Sequence, residues 1–258
     1  MKRLLGDELK NYFKDPHGVP SWWNPEEGRY HFWHRQEFKI LDAHLKRQGG
    51  LALDAACGQG RFARYYARNG YVVKAFDINH RMLLTAAQRA AAEGVRHRID
   101  FIEGDVERAP WGAEQFDLVS CMHALDHMTD VEKAIRNLTA PLKKHGMLVV
   151  SFTPTACVYA WLRNLYTVLD RRRDGNVDVA QPFAFDHLTE VLARHQIAIR
   201  HVCGIGLTSS PQERIRFPVF VQRLFELMAK LDLAIQPYHR DTWLAQHCSV
   251  VMIIGERA

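Results

Sequence analysis

Hydrophobic positions fall into short solid runs separated by amphipathic stretches. The runs are "LALDAA" (51–56), "YVVKAFD" (71–77), "RIDFIEG" (98–104), "FDLVSCM" (116–122), "GMLVVSFT" (146–153), "IAIRHVCGI" (197–205) and "SVVMIIGE" (249–256). Each has the length and apolar character of a buried strand. Between them, "FKILDAHLKRQGG" (38–50), "RFARYYARNG" (61–70), "HRMLLTAAQRAAAEG" (80–94) and "VEKAIRNLTAPLK" (131–143) read as helices, three of them stopped by glycine. This alternation predicts an α/β, Rossmann-like sheet of seven mostly parallel strands, with helices on both faces and the last strand antiparallel. After Pro154 the rhythm breaks. Extra helices are expected at 155–170, 187–196 and 217–232. The irregular segments 154–182 and 207–247 lie beyond the carboxyl ends of strands five and six, where open α/β sheets bind ligands. The chain therefore reads as one domain over 1–258. It has an N-terminal arm (1–35), a core (36–153) and a cap formed by 154–182 and 207–247.

Bulk properties narrow the classes. The chain has 258 residues, and no apolar run approaches the roughly 18 needed to span a membrane. The N-terminal "MKRLLGDELKNYF" lacks an uninterrupted apolar stretch, so the expected location is the cytoplasm. Five cysteines, far apart and without a CxxC pair, argue against a disulfide framework or a structural zinc. The net charge of +5 is dispersed. Its one dense run, Arg171 to Arg173, reads as a solvated loop, with a phosphate-contacting patch as the alternative.

The segment "LALDAACGQGRFARYYA" carries the most chemistry. A strand ends at Asp54, a turn contains Gly58 and Gly60, and a helix follows. Glycine lets backbone approach a ligand with no Cβ in the way. The second strand ends in Asp77, placed to accept ribose hydroxyls. Gly58-x-Gly60-x-x-Ala63 also fits a dinucleotide fingerprint, which keeps an NAD-dependent oxidoreductase as an alternative. Asp54 discriminates between them. A carboxylate there repels a pyrophosphate but favours a ligand bearing a sulfonium and an ammonium. Asp105, past the third strand, is placed to accept an adenine amino group.

The ordered set D-x-x-C-G-x-G, a strand-terminal acid, "GD" and "FDLV" resembles class I S-adenosylmethionine-dependent methyltransferases over about residues 50–153. The resemblance implies that Asp54, Ala55, Gly58 and Gly60 form the cofactor loop. Asp77 with Ile78 would serve the ribose, Asp105 and Val106 the adenine, and Cys121 closes the same edge. Ala56 stands where many members have glycine, which is tolerable if its φ is negative. "WWNPEEG…HR" further resembles the segment before the first helix of ubiquinone-biosynthesis-type O-methyltransferases. That implies an arm folded over the cofactor, with Trp22 and Trp23 walling the site and Arg35 pairing the methionine carboxylate. The other reading is that these aromatics only cover the sheet edge.

"CMHALDHM" (121–128) follows the fourth strand, and the same family has a glutamate-glutamate-histidine set there. His123, Asp126 and His127 occupy the matching positions, and on a helix they would share one face. Three readings stay open. His123 is a general base; or the three bind a zinc- or iron-like metal, the softer set arguing against magnesium; or His127 is structural and His123 a passive wall. The implied function is in-line methyl transfer from S-adenosylmethionine to an oxygen or nitrogen of a small-molecule acceptor, releasing S-adenosylhomocysteine. Methylation of nucleic acid is the other alternative. Trp22, Trp23, Tyr159, Trp161, Tyr166 and Phe185 are candidate pocket aromatics.

Overall fold

The computed structural model describes residues 2–14, 25–26, 31–45, 49–108, 111–158, 177–178, 183–209 and 219–258. Its strands are β1 (Lys2–Arg3), β2 (Gly50–Ala55), β3 (Tyr71–Asp77), β4 (Ile99–Glu103), β5 (Phe116–Cys121), β6 (Leu142–Phe152), β7 (Val177–Asp178), β8 (Ile197–Ile205), β9 (His239–Arg240) and β10 (Val250–Arg257). Its described helices are α1 (Gly6–Lys14), α2 (His31–His44), α3 (Arg61–Arg68), α4 (His80–Ala92), α5 (Val131–Thr139), α6 (Phe185–Arg194) and α7 (Val219–Ile235). None of the described helices is long and apolar enough to cross a membrane.

The main sheet has the order β4-β3-β2-β5-β6-β10-β8-β9. Strands β2 to β6 pair in parallel. The last strand, β10, is antiparallel and lies between β6 and β8. All seven predicted strands form. The two-residue β9 adds an eighth at the edge, and β1 with β7 makes a separate short ribbon. Helices cover both faces. Trp33, Phe62 and Tyr66 of α2 and α3 pack in one apolar cluster, while Ile135, Leu188 and Val191 of α5 and α6 pack in the other. Burial on both sides explains why these strands read as solid apolar runs instead of alternating ones.

Several helix boundaries differ from expectation, two of them for reasons the structure shows. α5 stops at Thr139, because Pro141 cannot continue it and Leu142 already opens β6. α2 begins at His31, seven residues before the amphipathic pattern suggested. Its buried face there is Trp33, His34, Gln36 and Glu37, so hydropathy reads a core-facing surface as polar. The predicted arm (1–35) therefore runs into a helix, and it contains α1 as well. The predicted cap helix at 155–170 lies mostly outside the described residues.

The order of the sheet reverses on either side of β2, whose neighbours are β3 and β5. The crevice at the carboxyl ends of β2 and β5 is thus the topological switch point, the usual ligand site of such sheets.

Candidate active site

Asp54 stands at that crevice, in register with Ser120 of β5, whose hydroxyl donates to Asp54 Oδ1 at 2.8 Å. Asp54 is 1% exposed. Burial pushes its carboxyl up to about 7, only partly offset by Ser120, the Ala63 backbone and the Arg61 guanidinium. The turn that follows is left-handed at Ala56, Gly58 and Gly60, with φ of 53°, 53° and 73°. A Cβ on Gly60 would meet Ala86 Cβ at 2.8 Å, so glycine is what lets the start of α3 press against α4. The positive φ of Ala56 fails the condition under which an alanine there is tolerated without strain. Left-handed geometry costs an L-residue roughly 1–2 kcal/mol, and a glycine there avoids that cost.

Asp77 closes the loop. Its Oδ2 accepts from the Gly58 N–H at 2.7 Å and its Oδ1 from the Asn79 N–H at 2.8 Å. Ile78, between them, is partly buried. At the next strand tip, Asp105 Oδ1 accepts from the Glu107 N–H at 2.9 Å. Its Oδ2 meets Lys10 Nζ of α1 at 2.6 Å, and Lys10 also reaches Glu107 at 2.8 Å. Asn79 donates to the Phe13 carbonyl at 2.6 Å. α1 therefore lies across the tips of β3 and β4. Val106 and Cys121 are both buried in the core beneath. Burial carries the Cys121 thiol far above its ordinary range, so it does not act as a thiolate.

A cavity of about 120 Å³ opens beside Asp54, lined also by Gly58, Arg61, Met122, His123 and Glu26. Glu26 belongs to the predicted arm and bridges Arg64 and Arg89, tying the arm to α3 and α4. Trp22, Trp23, Tyr159, Trp161, Tyr166 and the run Arg171 to Arg173 lie outside the described residues. Phe185 packs half-buried against the core. Arg35 is exposed on α2 and is not among the residues lining the cavity. Once the helix starts at His31, His34 and Glu37 turn inward and Arg35 turns out. The buried cation at the cavity is Arg61, which sequence reading passed over.

The three residues of "CMHALDHM" do not share a helical face. His123 lies outside the short 3-10 turn Leu125–His127, and its backbone is left-handed, with φ of 56°. The Ser151 hydroxyl accepts from its N–H at 2.9 Å. Its ring Nε2 meets Glu37 Oε1 of α2. Asp126 is buried, and the His127 ring packs 4.9 Å from that of Phe13.

The described residues with ligand atoms close enough for a metal are instead His34, Glu37 and His123. Arg61 Nη1 lies 2.6 Å from Glu37 Oε2 and already neutralises that carboxylate. Burial would raise the Glu37 carboxyl, but Arg61 and His123 outweigh it and hold it well below the usual carboxylate range. Burial lowers His34 to about 3, so its ring is neutral. A divalent ion there would sit against the guanidinium. At an effective dielectric of about 20, two unit charges 4 Å apart cost about 4 kcal/mol, and a divalent ion doubles this. The charge balance thus disfavours a metal. The Glu37 signal was present in "HRQE", whose His34 and Glu37 stand at i and i+3, but it is visible only if the helix is started early enough.

Comparison with known proteins accords with this geometry. Residues 53–150 match the methyltransferase-domain family. A ubiquinone biosynthesis O-methyltransferase of Coxiella burnetii is 27% identical over 133 residues, 51% of this chain and 56% of that protein. The chain thus spans little more than half the length of that relative. A malonyl-[acyl-carrier protein] O-methyltransferase of Enterobacter lignolyticus is 28% identical over 206 residues, covering 75% and 79% of the two chains. The structure of a magnesium protoporphyrin IX methyltransferase from Synechocystis with bound S-adenosylhomocysteine superposes with a TM-score of 0.65. It covers 97% of this chain and 98% of its own at 17% identity, a likeness of fold. Residues 53–150 therefore resemble a methyltransferase domain, carried on the fold that the chain shares with the magnesium protoporphyrin IX methyltransferase.

Proposed function

We propose that the chain transfers the methyl group of S-adenosylmethionine to an oxygen or nitrogen of a small molecule. The carrying observation is Asp54, a carboxylate buried at the switch point beside a left-handed glycine turn. Burial lifts it to about 7, so a cation placed beside it favours its charged form. A sulfonium with an adjacent ammonium supplies that charge, whereas a pyrophosphate opposes it. The residues present therefore fit S-adenosylmethionine. Asp54, Ala55, Gly58 and Gly60 would hold its charged end. Asp77 and Ile78 would serve the ribose, and Asp105 and Val106 the adenine, where the amino group takes over a place that Lys10 holds at Asp105.

When bound, the cofactor supplies a methyl group already activated by the positive sulfur. The chain's own work is orientation and proton management. His123 lines the same cavity as Asp54. In this reading it accepts the proton of an acceptor hydroxyl or amine as the new bond to carbon forms. Two of the relatives are named O-methyltransferases, which favours oxygen. The test is turnover with a labelled methyl donor against a panel of phenols, alcohols, carboxylates and amines. Label recovered in one acceptor class supports the reading. S-adenosylhomocysteine binding without transfer to any class sinks the activity.

A further inference from the structure

We infer that Glu37 is the positioning residue for His123, acting through a fixed Arg61–Glu37–His123 relay in the wall of the cavity. The inference rests on the role proposed above for His123. Glu37 is fully buried on α2, and its two oxygens divide the work. Oε2 is held by Arg61 Nη1 at 2.6 Å, and Oε1 meets the His123 ring at Nε2. His34 Nδ1 lies 3.9 Å from Oε2, and its ring stands edge-on to that of His123 at 6.1 Å between centroids. Arg61 also reaches the His34 carbonyl at 3.4 Å.

The His123 main chain is fixed as firmly as its ring. Its left-handed φ is one that non-glycine residues adopt rarely, and Ser151 clamps its N–H. Backbone, hydroxyl and carboxylate thus converge from β6 and α2 on one imidazole that faces a cavity. A carboxylate bonded to one ring nitrogen selects the tautomer and stabilises the imidazolium once the other nitrogen takes a proton. With Glu37 on Nε2, the hydrogen resides there, which makes Nδ1 the basic nitrogen of the neutral ring. Arg61 keeps Glu37 ionised, so the carboxylate orients the ring without taking the proton itself.

The test is NMR of the full chain with 15N-labelled histidine. His123→Ala identifies the signal. The expected wild-type ring is the Nε2–H tautomer with a strongly downfield Nε2 proton, which moves upfield in Glu37→Gln. In turnover, Glu37→Gln should lower kcat on the order of 10–100-fold while KM for S-adenosylmethionine stays within about twofold. Glu37→Asp should recover part of that loss.

An Nδ1–H ring in the wild type overturns the inference, and that reading needs no variant to fold. Glu37→Gln with full kcat overturns it too, as does stoichiometric zinc binding that abolishes the Nε2 proton. A wild type that shows the Nε2–H signature yet transfers no methyl group defeats the activity reading and leaves the Glu37–His123 pairing standing.

Discussion

The carboxyl edge of the sheet has two halves built on different logic. Over β2 to β4, each acid has a partner in its own turn or in the adjoining strand, and Asp105 gains Lys10 of α1 as well. Asp54 meets the adjoining strand, Asp77 holds Gly58 and Asn79, and Asp105 caps Glu107 two residues on. Over β5 and α2, Arg61 and His123 come to Glu37 from different elements, with no turn or strand pairing to bring them there. Glu37 and His123 are 86 positions distant, and Ser151 joins them from a third element. A half made of strand tips and tight turns is set largely by turn spacing and strand register. A half made across elements depends on how the helices dock.

The comparison can be broken first at its distant half. His123→Ala should reduce kcat by about 10²–10⁴-fold, the usual share of a positioned base, with S-adenosylhomocysteine affinity unchanged within about twofold. If affinity falls as far as kcat, the two halves are not separable.

The cofactor half is next. Asp54→Asn should weaken S-adenosylmethionine binding by about 30-fold or more, as when one partner of a buried charge pair is lost. The same change should stabilise the free protein. A folded carboxyl at about 7 binds a proton that the unfolded chain, with its ordinary value near 3.8, has released. Stability from this group is therefore full below about 4 and falls as pH rises towards 7. Asparagine removes the penalty, so the melting temperature at pH 8 should rise by several degrees. A melting temperature that drops would contradict the assignment.

A smaller effect follows in the wild type. Because a bound cation requires Asp54 ionised, affinity for S-adenosylmethionine should rise by at most about tenfold per pH unit up to about 7 and level off above. Asp54→Asn should flatten that slope, as a calorimetric pH series would show. The smallest effect is conformational. Ala56→Gly relieves a left-handed alanine and should gain about 0.5–1 kcal/mol, read as roughly a 2 °C rise in melting temperature.

Much of the first half was legible in the sequence for a physical reason. Strands buried on both faces leave solid apolar runs, and acids at their ends stand out against that background. Asp54, Asp77 and Asp105 were named this way, and each lies at its predicted strand tip. The second half was obscured because its buried face is polar. His34, Gln36 and Glu37 break the apolar period, so the pattern predicts a late start for α2, leaves Arg35 free to turn inward and gives Glu37 no part. The three residues of "HALDH" were placed on one helical face, but His123 precedes the 3-10 turn and takes a left-handed backbone, which hydropathy does not report. Lys10 was hidden by distance, since 95 positions separate it from Asp105.

The central claim is that the crevice beside Asp54 receives a sulfur-bearing adenosyl cofactor. Calorimetric titration of the intact chain with S-adenosylhomocysteine, and in parallel with NAD, tests it most directly. The account predicts saturable one-to-one binding of S-adenosylhomocysteine and no heat from NAD. Binding of NAD alone, or of neither, would contradict it.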